Sequence, residues 1–272
     1  MDKVPVFRIA DISFSYGNVS VLRHVSLEMR EGNFYGILGP NGSGKTTLLD
    51  VMAGIKAPDS GRVLFKGKDI RNYNKKELAK GIALVPQEFY INFPFTVKEI
   101  VLMGRHPYMP RFGAASADDI EMVHYTMRLI EIEDFQDRYV TELSGGEKQR
   151  VVFARALAQD TPVLMLDEGT SNMDIRHTLK ILGIARHKVR KDNRTVIAAM
   201  HDLNLAAQFC DHLVFLKDGK IVAQGPIDTV LNEQNVKQTF EVEAKIYFDE
   251  YSSSRRVAYR IGPTPAPIRR KA

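Results

Sequence analysis

Tryptophan is absent from the 272 residues, and cysteine occurs once, at Cys210. One thiol excludes an internal disulfide and fits a reducing compartment. Cys210 follows "AAQF" in a stretch with helical spacing, a setting for packing and not for chemistry. No uncharged apolar run approaches the roughly 18–20 residues a membrane span needs. The N-terminus also lacks a basic-then-apolar secretion pattern, so the chain is expected to stay in the cytosol. A basic excess is missing from the body too. Residues 251–272 hold six of the 38 Lys and Arg and no acid, leaving 32 bases against 33 acids elsewhere. A near-neutral body argues against a nucleic-acid partner. The tail "PTPAPIRRKA" reads as a solvated, partly disordered extension, with contact to anionic lipid headgroups as the alternative.

What is present suits a globular core. With 44% hydrophobic and 26% charged residues at this length, the chain is one large domain or one with an inserted subdomain. "VFRIADISFSY" and "VLRHVSLEM" alternate as antiparallel strands do. "NFYGILG" is an apolar strand running into a glycine loop, and "KTTLLDVMAG" then has helical spacing. Strands are expected at "RVLF", "IALV", "PVLMLD" and "RTVIAAM", with helices over 144–158, 174–190 and 202–209. Strands alternating with helices predict a mainly parallel, covered sheet. Residues 89–141 differ. They open with "EFYINFPF" and give two helical stretches, 96–104 and 117–131, around "GRHPYMPRFG", which predicts an inserted helical subdomain. "EVEAKIYF" and "RVAYRI" read as a C-terminal pair of strands.

The sequence "GPNGSGKT", Gly39 to Thr46, fits G-x-x-x-x-G-K-[ST] without a mismatch. Glycines let backbone N–H groups turn around a phosphate, and the following helix N-terminus adds partial positive charge. Lys45 can reach the β- and γ-phosphates, and the Thr46 hydroxyl can ligate Mg²⁺. The nucleotide-binding set is Gly39, Pro40, Asn41, Gly42, Ser43, Gly44, Lys45, Thr46 and Thr47. "PVLMLDEGTS" places Asp167 and Glu168 at a strand end. Asp167 is the candidate metal carboxylate, and Glu168 the candidate to orient or deprotonate an attacking water. His201 follows the next strand.

A second phosphate grip, "LSGGE", stands at 143–147, ahead of a helix. Together the ordered motifs resemble the ATP-binding-cassette (ABC) ATPases over roughly residues 6–240. The resemblance implies an α/β P-loop NTPase core with a mainly parallel sheet, an N-terminal antiparallel β subdomain and an inserted helical subdomain. The ATPase domain spans 1–240, with the helical subdomain at about 89–141. Residues 241–272 form a C-terminal β extension and basic tail. It further implies that Tyr16 stacks on adenine and that Gln87 approaches the magnesium and the attacking water. His201 is then the switch histidine. Ser144, Gly145 and Gly146, with Asp174 of the D-loop "SNMD", serve ATP held by a second, head-to-tail copy. ATP and Mg²⁺ are the implied cofactors. Two departures stand out: Gly169 where Pro is usual and Met173 where Leu is usual. Both leave the functional groups in place, so an active ATPase is expected.

"TVKEIVLMGRHPYMPRFG" and "MHDLNLAAQFCDHLVFLKDGKIVAQG" look most like the importers of iron–siderophore, haem and cobalamin complexes. The implied partners are a second copy, integral membrane permease subunits and, indirectly, a substrate-binding protein, with no nucleic acid. The implied place is the cytoplasmic face of the inner membrane, peripherally. The surface over 88–112, with Phe89, Tyr90, Phe93 and Phe95, is expected to receive the permease. The alternatives are a soluble ATPase of iron–sulfur cluster assembly and an importer ATPase for an oxyanion such as molybdate. A DNA-repair or translation ATPase is disfavoured, because only 98 residues separate Lys45 from Ser144 and leave no room for a coiled-coil arm.

Overall fold

The computed structural model describes residues 5–87, 89, 93–110, 113–168 and 173–260. β1 (Pro5–Tyr16) and β2 (Val19–Arg30) pair antiparallel, and their alternation buries Phe7, Ile9, Ile12, Leu22, Val25, Leu27 and Met29 on one side. β3 (Phe34–Leu38) breaks that pattern: all five residues are buried, as a strand covered on both faces requires. It leads through residues 39–44 into α1 (Lys45–Met52). β4 (Ser60–Phe65) returns beside β1 and, with the short β5 (Lys68–Asp69), completes an antiparallel sheet ordered β2-β1-β4-β5.

α2 (Lys75–Gly81), opened by a reciprocal Asn74–Glu77 capping box, leads into β6 (Ile82–Val85). Three helices follow: α3 (Val97–Leu102), α4 (Ala117–Ile130) and α5 (Gly145–Ala158). Each starts on a capping box, at Thr96, Ser116 and Ser144. Spacing predicts one helix over 96–104, but α3 ends at Leu102 and continues as a 3₁₀ turn over Met103–Arg105. Gly104 there lies against α5, where a Cβ would sit 2.2 Å from the Arg155 carbonyl oxygen. The tighter turn carries the chain past that contact.

The chain then alternates through β7 (Val163–Asp167), α6 (Ile175–Asp192), β8 (Thr195–Met200), α7 (Leu203–Phe209) and β9 (His212–Lys217). Cys210 is buried as expected, but it is the extended residue that ends α7 and not part of the helix. β10 (Lys220–Pro226) pairs with β9 across Asp218 and Gly219, at φ 48° and 75°. Two left-handed residues are what a tight hairpin turn needs. α8 (Ile227–Val230), α9 (Glu233–Phe240) and a hairpin of β11 (Ala244–Asp249) and β12 (Ser254–Tyr259) complete the described fold. Periodicity gives no strand over 212–226. The apolar run "HLVFL" and the Asp-Gly dipeptide are the signals that mark it.

The second sheet runs β10-β9-β3-β8-β7-β6 and is parallel except at the β10 edge. Tyr35, Ile37, Met165 and Ile197 face α1 and the antiparallel sheet, so α1 is sandwiched between the sheets. Phe34, Leu38, Leu164, Leu166 and Val196 face the opposite core, with α3 to α7. Because β3, β8, β7 and β6 are parallel, loop 39–44, His201, Glu168 and Gln87 all emerge at one edge of one sheet. Ligands of open α/β sheets bind at that edge.

Candidate nucleotide site

Residues 39–44 take a path that a side chain would block at Gly39 and Gly44. A Cβ on Gly39 would lie 2.0 Å from the Leu216 carbonyl oxygen, and Gly44 has φ 103°. α1 therefore starts on a residue without a side chain, and no side-chain cap satisfies its first N–H groups. α3, α4, α5, α6 and α7 all have such a cap. The uncapped end presents free donors and a positive dipole end, which suits an anion.

Lys45, the first residue of α1, is 5% exposed. Its Nζ donates to the carbonyls of Gly39 at 2.9 Å and Pro40 at 3.2 Å, and lies 3.5 Å from Glu168 Oε1. Gln87 Nε2 donates to the other carboxylate oxygen of Glu168 at 3.1 Å. Glu168 is thus bracketed by a cation and an amide. Its backbone sits at φ 47°, in the left-handed region that costs a non-glycine residue about 1–3 kcal/mol. A backbone bond from its N–H to Ala199 O, 3.2 Å, helps hold it beside the end of β8. Strain of this kind persists where surrounding contacts over-determine a position.

Asp167 is 4% exposed at the end of β7 and accepts a 3.1 Å hydrogen bond from the Thr46 hydroxyl. Burial pushes its carboxyl up to about 6. The fields of Glu168 and Asp50 add to that rise, and the Thr46 bond and Lys45 oppose it. A buried carboxylate so placed gains from a cation. Val21, Asn41, Gly42, Gly44, Lys45, Thr46, Thr47, Gln87 and Glu168 line a cleft of about 310 Å³. Val21 carries no motif signal; β2 brings it there by tertiary packing.

The other sequence-derived residues lie outside that lining. Tyr16 is 48% exposed; its ring packs edge-on to Phe14 at 5.0 Å, with Lys56 Nζ 5.4 Å from its centre. Lys56 in turn pairs with Asp50 of α1. His201 is exposed directly after β8. Ser144 is occupied as the cap of α5: its hydroxyl bonds Glu147 Oε2 at 2.7 Å, and Glu147 N donates back at 3.4 Å. Gly145 is exposed, and a Cβ there would meet nothing within 4 Å. Asp174 caps α6, accepting from His177 N at 2.9 Å and lying 2.8 Å from its Nδ1. Among the described residues no hydrogen bond or ion pair joins Ser144 or Asp174 to loop 39–46. Phe89 is half-buried under Arg155 at 4.5 Å, while Phe93 and Phe95 are 69% and 37% exposed. Tyr90, Gly169 and the end of the basic tail lie outside the described residues.

The family described as "ABC transporter" matches residues 22–171, more than half of the chain and including Lys45, Gln87, Ser144 and Glu168. The chain belongs to the ABC transporter family. It is 38% identical over 97% of its length to a cobalamin import ATP-binding protein of Halobacterium salinarum, of which it spans 64%. It is 39% identical over 89% of its length to a hemin import ATP-binding protein of Rhizobium meliloti, of which it covers 93%. A dimeric structure of the ABC transporter cassette MJ0796 superposes with a TM-score of 0.74 at 29% identity, covering 81% of this chain and 98% of that one. The ABC fold therefore holds here, with its mixed α/β core and helical region.

Mg²⁺ fits the residues present. Among the described residues no group of three or more His, Cys, Asp or Glu could hold a metal. One hydroxyl, one carboxylate and an amide oxygen, from Thr46, Asp167 and Gln87, are a sparse set of hard donors. Such a set suits an ion that keeps water and phosphate oxygens as its other ligands.

Proposed function

We propose that this chain is the ATP-binding and ATP-hydrolysing subunit of an ABC importer for a metal chelate of the iron–siderophore, haem or cobalamin type. The observation that carries the ATPase reading is the convergence of Lys45, Glu168 and Gln87 beside the uncapped start of α1. Phosphates bound there take the α1 N–H groups and the Lys45 ammonium, which leaves Glu168 with Gln87. The Glu168 carboxylate then accepts a proton from water as the water oxygen attacks the γ-phosphorus and the bond to the β,γ-bridging oxygen breaks, releasing ADP and inorganic phosphate. Mg²⁺, held by Thr46, Asp167 and Gln87, would neutralise charge on the β- and γ-phosphate oxygens. Tyr16 stacks on adenine and His201 meets the γ-phosphate.

Ser144, Gly145, Gly146 and Asp174 act on the nucleotide of a second, head-to-tail copy. Two observations support this: among the described residues no hydrogen bond or ion pair joins Ser144 or Asp174 to their own phosphate loop, and a side chain on Gly145 would meet nothing within 4 Å. The dimeric cassette of similar fold supports it as well. Residues 1–240 are the ATPase domain, and 241–272 an extension. The subunit sits peripherally at the cytoplasmic face of the inner membrane against a permease. Among the described residues no helix is long and apolar enough to cross a membrane. The cobalamin and hemin import relatives support the cargo class.

Glu168→Gln is expected to lower turnover by roughly 10²–10⁴ while ATP affinity persists, because only proton transfer is lost. Lys45→Ala weakens nucleotide binding itself. Steady-state hydrolysis measured beside equilibrium binding separates the two, and normal turnover in Glu168→Gln would refute the assignment.

A further inference from the structure

His201 is proposed to meet the γ-phosphate, yet no side-chain hydrogen bond or ion pair in the described structure fixes its ring. Its direction must come from the backbone turn it shares with Asp202. Asp202 caps α7, accepting from Asn204 N at 2.7 Å and Leu205 N at 3.0 Å. α7 has only seven residues, with Leu203 and Ala206 buried, and a helix that short does not hold itself in water. Something outside the helix must therefore fix this turn.

The strand β12 does so through one side chain. Asn204 Oδ1 accepts from Val257 N at 2.8 Å, and Asn204 Nδ2 donates to Val257 O at 3.4 Å. Val257 stands opposite Ile246 of β11 with both of its backbone groups turned outward. Asn204 satisfies those groups as a neighbouring strand would. The hairpin is anchored in turn. Ile246 N donates to Glu233 at 3.0 Å, Arg255 donates to Leu231 O at 3.1 Å and pairs with Asp228 at 3.4 Å, and Val257 is 5% exposed in the main core. A lone two-stranded hairpin is marginal by itself, so these anchors decide where it lies. Burial raises the Tyr259 hydroxyl above its ordinary range, and the Asp202 charge adds to the rise.

We propose that the C-terminal hairpin is a brace for the His201 turn, and that Asn204 is the positioning residue that transmits it. The inference rests on the role proposed above for His201. Asn204 does not line the nucleotide cleft, so its loss acts on turnover and not on ATP affinity.

The test uses the full chain with four variants: Asn204→Ala, Asn204→Asp, His201→Ala and the double variant His201→Ala/Asn204→Ala. Asn204→Ala is expected to lower kcat roughly tenfold with KM for ATP within about twofold. Asn204→Asp keeps the acceptor for Val257 N but exchanges the donor to Val257 O for a second acceptor, so its turnover should lie between those of Asn204→Ala and wild type. A folded Asn204→Asp no faster than Asn204→Ala overturns the proposal. The double variant should be no slower than His201→Ala, since two steps in one line do not add. Wild-type turnover in Asn204→Ala overturns the proposal, as does an equal further loss in the His201→Ala background. Wild-type turnover in His201→Ala overturns both this inference and the role given to His201. An inactive His201→Ala beside an unaffected Asn204→Ala overturns the brace alone.

Discussion

Asp167 carries the largest conflict in the cleft, a carboxyl pushed up to about 6 chiefly by burial. Unfolded, it titrates near 3.8, so the folded chain holds that proton more tightly between 3.8 and about 6. Stability from this group is therefore present at low pH and is lost as pH rises through that window. Above it, the ionised group costs about 3 kcal/mol relative to an exposed aspartate. Asp167→Asn should raise the Tm of the ligand-free chain at pH 7.5 and change it little at pH 4. It should also abolish the extra stabilisation that Mg²⁺ adds to bound nucleotide. Equal Tm shifts at both pH values would contradict this account. Lys45, Thr46 and Asp167 are legible in sequence because their motifs fix backbone shape over a few residues. The bracket of Lys45 and Gln87 around Glu168 is not, because its three members come from different loops.

The turn between α3 and α4 carries a different kind of constraint. Arg105 Nε donates to Asp119 at 2.8 Å with both side chains nearly buried, 12% and 8% exposed. Arg105 also donates to Ala158 O at 2.9 Å and stacks 4.2 Å over Tyr108. The hydrogen bonds from Arg105 and then Ser116 hold the Asp119 carboxyl below its ordinary range. One guanidinium thus ties α4 to the end of α5, the helix that Ser144 opens. Arg105→Ala leaves a buried carboxylate with only the Ser116 donors and should cost about 3 kcal/mol. A shift of the urea midpoint measures it, and a shift equal to that of an exposed Arg→Ala control would dismiss the constraint. At this scale the sequence shows where helices start, since the capping residues Thr96, Ser116 and Ser144 are local. It leaves α2, β9 and β10 unread, because short elements carry few periodic residues and burial against neighbours forms them.

Across the whole molecule, the trans role proposed for Ser144 has a direct consequence. A chain with Lys45→Ala and another with Ser144→Arg each form homodimers in which both composite sites are broken. Mixing them gives a heterodimer with one site carrying both lesions and one carrying none. ATPase activity should return on mixing, up to about a quarter of wild type per chain for random pairing of independent sites. Trapped nucleotide, measured in the same mixture, should rise in parallel. Heterodimers with neither activity nor trapped ATP would refute the trans assignment. Sequence alone determined which atoms are available for chemistry: a lysine after a glycine turn, an acidic pair at a strand end, and a serine–glycine helix start. Those are local properties of backbone freedom and side-chain type. The tertiary structure decided which of them meet. Within this sheet β3, β6, β7 and β8 come in that order along the chain, yet the sheet places β8 between β3 and β7, with β9 on the far side of β3. That order brings Lys45, Gln87 and Glu168 together from positions up to 123 residues apart. It also sets His201 at the same edge, where the Asn204–Val257 contact reaches its turn from the C-terminal hairpin. Strand neighbours are chosen by burial summed over the entire core, and no single segment encodes that sum.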